Sequence, residues 1–419
     1  MEAFSSGNSP NNLINPNNMK IVLLFLVCTS ISIAQQWTQF LGPNGNGTIE
    51  GAISESVQKN GPKALWEAEV GIGCSSFVIA NNRAFTVGNK NNEDTIWCFN
   101  ASNGDILWKR TYPEKLAPKY YDGGPGATPT IDGDFVYVLS KSGKLSCLKV
   151  QDGKEIWSKH FRDDFKGNMP TWGYSASPLV HGDSLLCLPC TKGAALIALN
   201  KKTGELLWKS SNTARPGYAA PVFYSHQGSD AALIFHGRSL VAYNLSKKGD
   251  VIFEHPWRTS YDVNASNPLI KNKLVYISSG YGMGYAVLDV TGPKPKVLHS
   301  DRDLRMIFQN AFTIGSDIVG TLGDKNFEAE LFRMDFETGK IKWKYRIPGT
   351  RGSTLQIGET TVVLSETGSL IFGKATEKEF VESGRHQILS KLCWAPLAIG
   401  EGKLFARTNK GQAICLSIK

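Results

Sequence analysis

Ala195-Leu196-Ile197-Ala198-Leu199-Asn200, followed by Thr203-Gly204-Glu205-Leu206-Leu207-Trp208-Lys209, is the stretch that decides the fold. It reads as a strand, a tight turn, and a second strand whose tryptophan must be buried. Asn200 and Gly204 tolerate the positive φ that such a turn demands. The phrase returns as Asn103-Gly104-Asp105-Ile106-Leu107-Trp108, as Asp152-Gly153-Lys154-Glu155-Ile156-Trp157 and as Thr338-Gly339-Lys340-Ile341-Lys342-Trp343. A version with phenylalanine ends at Phe253. Self-similarity at a period of roughly 20–50 residues marks an array built from one supersecondary unit.

Taking the tryptophan position as a ruler gives Trp66, Trp108, Trp157, Trp208, Phe253, Val297, Trp343 and Val381, in steps of 38 to 51 residues. Four strands of about 5–6 residues plus turns fill one step. The unit from Ala127 shows this directly. Ala127 to Ile131 turns at Asp132-Gly133-Asp134 into Phe135-Val136-Tyr137-Val138-Leu139. Leu145-Ser146-Cys147-Leu148 follows, and then Glu155-Ile156-Trp157. Short β-branched and aromatic runs separated by Asp-Gly and Ser-Gly are successive hairpins.

The first strand of several units carries a small residue before proline: Thr128-Pro129, Ser177-Pro178, Ala220-Pro221, Asn267-Pro268 and Ala395-Pro396. Proline cannot donate to a sheet ladder, so these strands are edges. Small residues suit a place where sheets converge. The last unit has three strands and stops, whereas the first recognisable strand, Leu65-Trp66-Glu67, is a fourth strand without its preceding three. Joined, they complete one blade. The expectation is an all-β protein, an eight-bladed β-propeller of four-stranded antiparallel blades over residues 63–419, closed by its N- and C-terminal strands in one blade.

Ahead of the blades, residues 35–62 form a lead segment (Gln36-Trp37-Thr38-Gln39-Phe40-Leu41-Gly42-Pro43) expected to lie over the body. Residues 1–34 read as a signal peptide whose true start is Met19. Lys20 precedes the apolar run Ile21 to Ile33, too short to span a bilayer, and Ser32-Ile33-Ala34 supplies the small residues of a cleavage site. The rival reading is a lipoprotein signal acylated at Cys28, but Val27 stands where a small residue is expected. Export to the periplasm or the extracellular space follows, with no transmembrane helix after cleavage. The formal net charge of +9 is spread over similar units, which fits a monomeric soluble surface and not a nucleic-acid partner.

Export makes the cysteines informative. Cys98, Cys147 and Cys415 hold one slot of their repeats, where Ala198 stands in another, and Cys74 and Cys393 share a slot with Gly126 and Ser175. A cysteine that alternates with alanine, serine or glycine behaves as a small packed side chain. Cys187-Leu188-Pro189-Cys190 has redox spacing but falls on a strand, with no helix N-terminus to lower a thiol pKa.

The pattern Leu-x-Ala-Leu-Asn-x-x-Thr-Gly-Glu-x-x-Trp-Lys resembles the tryptophan-docking repeat of quinoprotein-type, PQQ-like β-propellers. That family includes PQQ-dependent alcohol dehydrogenases and the outer-membrane assembly lipoprotein BamB. The opening Trp37-x-Gln39-Phe40-x-Gly42-Pro43 is similar to that of secreted members common in planctomycete-type bacteria. The resemblance implies that Trp66, Trp108, Trp157, Trp208, Phe253 and Trp343 dock against neighbouring blades. It is degenerate at Thr291-Gly292-Pro293-Lys294-Pro295 and at Thr376-Glu377-Lys378-Glu379-Phe380.

The same resemblance makes PQQ possible, but the dehydrogenases of this family use an adjacent Cys-Cys disulfide, a calcium held by Glu, Asn and Asp, and an Asp base. None of these can be matched here, and no catalytic, cofactor-binding or metal-ligating residue is assigned. The expectation is a non-catalytic scaffold in the cell envelope. Its binding rim lies on the loops that join each outer strand to the next inner strand: Tyr120, Tyr121, Trp172, Tyr174, Arg215, Tyr218, Arg258, Tyr261, Arg305 and Arg351. Aromatic rings beside arginine suit anchoring a protein strand or stacking on a polysaccharide. The alternatives are a carbohydrate-binding propeller and a PQQ-dependent quinoprotein enzyme.

Overall fold

The structure, a computed structural model, describes residues 35–119, 121–325 and 327–419. The expected signal peptide and Tyr120 lie outside the described residues.

The strand phrases form eight antiparallel sheets in chain order. Blade 1 runs from Val78–Ala80 to Ile106–Pro113, blade 2 from Thr130–Asp132 to Glu155–His160, and blade 3 from Leu179–His181 to Leu206–Lys209. Blade 4 runs from Val222–His226 to Asp250–Pro256, blade 5 from Leu269–Lys271 to Lys296–Asp301, and blade 6 from Ala311–Ile314 to Ile341–Arg346. Blade 7 runs from Gly352–Ile357 to Phe380–Gln387. Blade 8 takes Ala398–Gly400, Lys403–Arg407 and Gln412–Ser417 from the end of the chain and Lys63–Glu69 from its beginning. Those last two pair antiparallel from Lys63 opposite Ser417 to Glu69 opposite Gln412. The ring is therefore sealed by the two ends, as the sequence predicts.

The tryptophans work as wedges with a fixed geometry. Each follows a β-bulge in the outer strand: Trp108 stands opposite Cys98, Trp157 opposite Cys147, Trp208 opposite Ala198 and Trp66 opposite Cys415. In these four the small partner leaves room for the indole, whereas Trp343 stands opposite Arg333. The ring then reaches the turn before the outer strand of the next blade. Trp66 donates its indole N–H to Ala101 O at 3.0 Å, Trp108 to Val150 O at 2.9 Å, Trp157 to Lys201 O at 3.2 Å and Trp343 to Thr376 O at 2.8 Å. The repeat glycine is explained twice over. Gly104, Gly153 and Gly204 sit at positive φ, and a Cβ on any of them would lie 2.7 Å from the ring of Trp66, Trp108 and Trp157 respectively. Burying a tryptophan removes about 150–250 Å² from water, worth about 4–6 kcal/mol gross at each junction.

Two positions of the sequence ruler need correction. Val297 and Val381 are exposed. The bulge in blade 5 places His299, opposite Val287, in the docking position. His299 Nε2 bonds Phe336 O at 3.1 Å and its ring lies against Gly339. In blade 7 the position itself is Gly384, opposite Phe372, and His386, two residues on, takes the contact. Its Nε2 bonds Gln58 O at 2.7 Å and its ring lies against Gly61. Gln58 belongs to the helix Glu55–Asn60, whose N-terminus is capped by Ser54. At this junction a helix of the lead segment stands where the other junctions have the turn before the outer strand.

At the hub, small polar side chains bridge neighbouring inner strands. Thr128 Oγ1 accepts from Ser76 N at 3.0 Å, Ser177 Oγ from Thr128 N at 2.9 Å, and Asn267 Oδ1 from Ala220 N at 2.9 Å. These bonds occupy edge donors that no strand pairs, which explains the small polar residue before Pro129, Pro178 and Pro268. The lead segment crosses this hub. Trp37, fully buried, bridges to Ile79 in blade 1, and Thr48–Ile49 adds parallel to Gly352–Ile357 in blade 7.

Candidate functional site

Antiparallel blades bring the connections between blades and the second-to-third-strand hairpins to one end of the ring. Four expected rim residues meet there. Trp172 packs on Tyr218 with ring centroids 5.9 Å apart, and edge-on against Tyr261 at 6.2 Å. Its indole N–H donates to Lys119 O at 3.0 Å, and its own carbonyl accepts from the Tyr121 hydroxyl at 2.9 Å. Burial pushes the Tyr218 phenol up to about 12 and raises Tyr121 too, so both hydroxyls stay neutral, Tyr121 donating to Trp172 O and Tyr218 accepting from Trp172 N. Tyr261 continues the row to Tyr281 at 6.2 Å. Tyr261 adopts φ 64° and is 72% exposed. Arg215 and Arg258 are exposed, and neither has a carboxylate partner among the described residues.

The remaining rim residues behave differently. Tyr174 is buried, edge-on to Phe161 at 5.0 Å with its hydroxyl on Pro189 O, so it packs the body and faces no solvent. Arg305 lies over Phe327 at 4.9 Å and pairs with Asp324 at 4.0 Å. Arg351 lies over Trp394 at 5.1 Å and over Phe308 at 5.7 Å, and pairs with Glu366 at 3.4 Å. Burial works to raise the Glu366 carboxyl. Hydrogen bonds from Thr350 and from the Trp394 indole, with the Arg351 charge, hold it below the usual range instead. Tyr281, Phe327 and Trp394 escape the sequence reading. Tyr281 was signalled by the glycine-rich turn Gly280-Tyr281-Gly282, and Trp394 by its place directly before Ala395-Pro396.

These commitments test a bound quinone and its calcium. Such a site needs carboxylate and amide oxygens free to face a cation. Glu366, Asp324 and Asp262 each face an arginine instead: Arg351, Arg305 and Arg238. No group of three metal-ligating side chains occurs among the described residues. The seven described cysteines are free. Burial raises the Cys187 thiol and pushes that of Cys190 up to about 12, which leaves both unreactive. The residues present do not fit the calcium–quinone pair.

At the other end of the ring, beneath the lead segment, a cavity of about 520 Å³ is lined by Gln39, Phe40, Asn44, His181, Phe223 and Asn267 among others. No expected rim residue reaches it.

Three comparisons bear on this arrangement. A family model described as outer membrane protein assembly factor BamB matches residues 92–345. Among solved structures, BamB from Moraxella catarrhalis superposes with a TM-score of 0.59 at 14% identity, covering 85% of this chain and 97% of that one. The quinohemoprotein alcohol dehydrogenase of Comamonas testosteroni gives 0.66 at 11% identity, covering 92% and 80%. A curated relative, 1-butanol dehydrogenase (quinone) of Thauera butanivorans, is 26% identical over 122 residues. That match takes in 28% of this chain and 19% of the relative's own length. At these identities the structural likenesses establish the eight-bladed fold and not an activity.

Proposed function

Because this chain belongs to the BamB family of PQQ-like propellers, we propose that it is an exported, non-catalytic scaffold that holds another protein of the cell envelope. The reading rests on one observation above all: the aromatic row Trp172–Tyr261–Tyr281, with two exposed arginines on the same loops, Arg215 and Arg258, that have no carboxylate partner among the described residues. Aromatic and arginine side chains on a rigid rim are the residues that dominate protein interfaces. The partner segment they fit carries an aromatic or aliphatic anchor with a carboxylate beside it.

Cross-linking pull-down from envelope extracts tests this reading. The wild-type protein recovers a defined partner, and Tyr261→Ala combined with Arg258→Glu loses it while melting at the same temperature. Recovery of no partner in repeated cross-linked pull-downs overturns it.

A polysaccharide ligand is less well supported, because Tyr218 and Tyr261 pack on the Trp172 ring that a sugar would need. Trp172→Ala on a glycan array separates the two readings. The stretch shared with a quinone-linked butanol dehydrogenase keeps an enzymatic reading open to test. PQQ with calcium would then raise the melting temperature and support dye reduction with an alcohol, and the arginine-occupied carboxylates predict neither.

A further inference from the structure

The lead segment uses the inner edges of the ring as docking strips. Trp37 bridges to Ile79 in blade 1, Thr38 O accepts from Ile131 N in blade 2 at 2.7 Å, and Thr48–Ile49 makes blade 7 five-stranded. The inner strands of blades 3, 4 and 5 are among those with no such cover. The backbones of Leu179–His181, Val222–His226 and Leu269–Lys271 make no hydrogen bond outside their own hairpins among the described residues.

Val222–His226 is the longest of the three. Its hairpin turns through Gln227 and Gly228, both at positive φ, with His226 opposite Ser229. In a two-residue hairpin that closing pair exchanges both backbone bonds, and the pattern alternates along the strand. The backbone groups of Phe223 and Ser225 therefore point away from the sheet, toward the ring axis. Both residues are exposed, and the Phe223 ring stacks on His181 of blade 3 at 5.1 Å. The cavity of about 520 Å³ lies between this edge, blade 3 and the lead segment, and a second of about 170 Å³ continues toward blade 6.

An open edge with an exposed aromatic beside a cavity is a template for another strand. We propose that the inner edge of blade 4 binds an extended peptide segment of a partner protein, which adds to Val222–His226 as a fifth strand, as Thr48–Ile49 does in blade 7. Phe223 and Ser225 supply the backbone pairing, and an apolar side chain of the peptide rests on the Phe223 ring. No charge is required of the peptide, because at the cavity wall Asp132 is engaged by Lys201 at 2.7 Å and His181 by Asp230 at 2.9 Å. The slot lies at the end of the ring opposite the aromatic row and does not depend on the function proposed for that row.

A phage-displayed random heptapeptide library, panned on the whole protein, tests it. The expected binders lack proline and alternate β-branched or aromatic residues with polar ones. Their affinity, read by fluorescence polarisation of the synthetic peptide, falls at least tenfold on Ser225→Pro, which removes one outward donor from an edge that tolerates proline. It falls as far when alternate peptide nitrogens are methylated, a readout that holds even if Ser225→Pro does not fold. Lys296→Glu, on the exposed outer strand of blade 5, leaves binding unchanged. Peptides that bind Ser225→Pro and the methylated series equally well overturn the proposal. So does failure to select any peptide, or self-association through this edge that Ser225→Pro abolishes.

Discussion

His299 Nε2 lies 3.1 Å from the backbone carbonyl of Phe336, across the junction of blades 5 and 6, in the contact that Trp157 makes to Lys201 between blades 2 and 3. Facing a carbonyl, Nε2 is the donor, and Nδ1 is buried against Gly339 without a partner among the described residues. The imidazole is a small stand-in for an indole: one N–H at the tip and an apolar edge against glycine.

His299→Ala should therefore destabilise the protein by about 1–3 kcal/mol, through a lost hydrogen bond and a void at the junction. Val297→Ala, at an exposed position two residues earlier, should stay within about 0.5 kcal/mol. Urea unfolding of the two variants decides between the two positions as the wedge.

The indole bonds should not be equal. Lys201 O accepts from the Tyr137 hydroxyl as well as from Trp157, at 3.1 Å, whereas among the described residues Val150 O has only Trp108. Trp157→Phe should cost less than about 1 kcal/mol beyond the change in packing, and Trp108→Phe about 1–3 kcal/mol, because only the second leaves a carbonyl unpaired. Matched thermal or urea unfolding of the pair checks the order.

Arg407 pins the seam between the closing blade and blade 1. It is 1% exposed, and its guanidinium donates to the carbonyls of Gly71 at 2.6 Å, Val87 at 2.7 Å and Ser75 at 3.3 Å. Burial lowers its pKa to about 10, with the nearby Cys74 thiol acting the other way. Arg407→Met fills much of the volume but strands those carbonyls, and should cost at least about 3 kcal/mol. A variant as stable as the parent would show that the seam does not need the fork.

Asp94 gives the pH test. It is fully buried, and desolvation pushes its carboxyl up to about 6, with Asn89 working to lower it and Glu114 to raise it. Between its unfolded value near 4 and this folded value the native state holds more protons, so stability falls as pH rises through that window. Above it, the buried charge costs on the order of 2–3 kcal/mol. Asp94→Asn should gain stability at pH 7–8, with the gain shrinking to nothing by about pH 4. Urea midpoints of the parent and variant across that range test the sign.

Most of the ring was legible because tryptophan, the preceding Thr-Gly or Asp-Gly turn and the small opposing residue all state the same geometry. Val297 was misread where Thr291-Gly292-Pro293-Lys294-Pro295 breaks the count from turn to wedge. Yet Val297-Leu298-His299 keeps the order of Leu206-Leu207-Trp208, with histidine where tryptophan stands. His386 was harder, since its receiving turn is a helix far away in sequence. The rim was only partly legible for a related reason. Tyr174 and Tyr261 look alike in composition, and only the cross-blade contact with Phe161 buries the first. Nothing in the sequence pointed to the open edge at Phe223, because which inner strands the lead segment covers is settled by its path across the hub.

Wedges hold the ring, and pairing of its first and last strands seals it. Differential scanning calorimetry of a chain shortened to end at Leu397 tests this most directly, because Lys63–Glu69 then has no partner strand. The single cooperative transition of the whole body should be lost. A shortened chain that stayed compact and melted with the parent's transition temperature and enthalpy would contradict it.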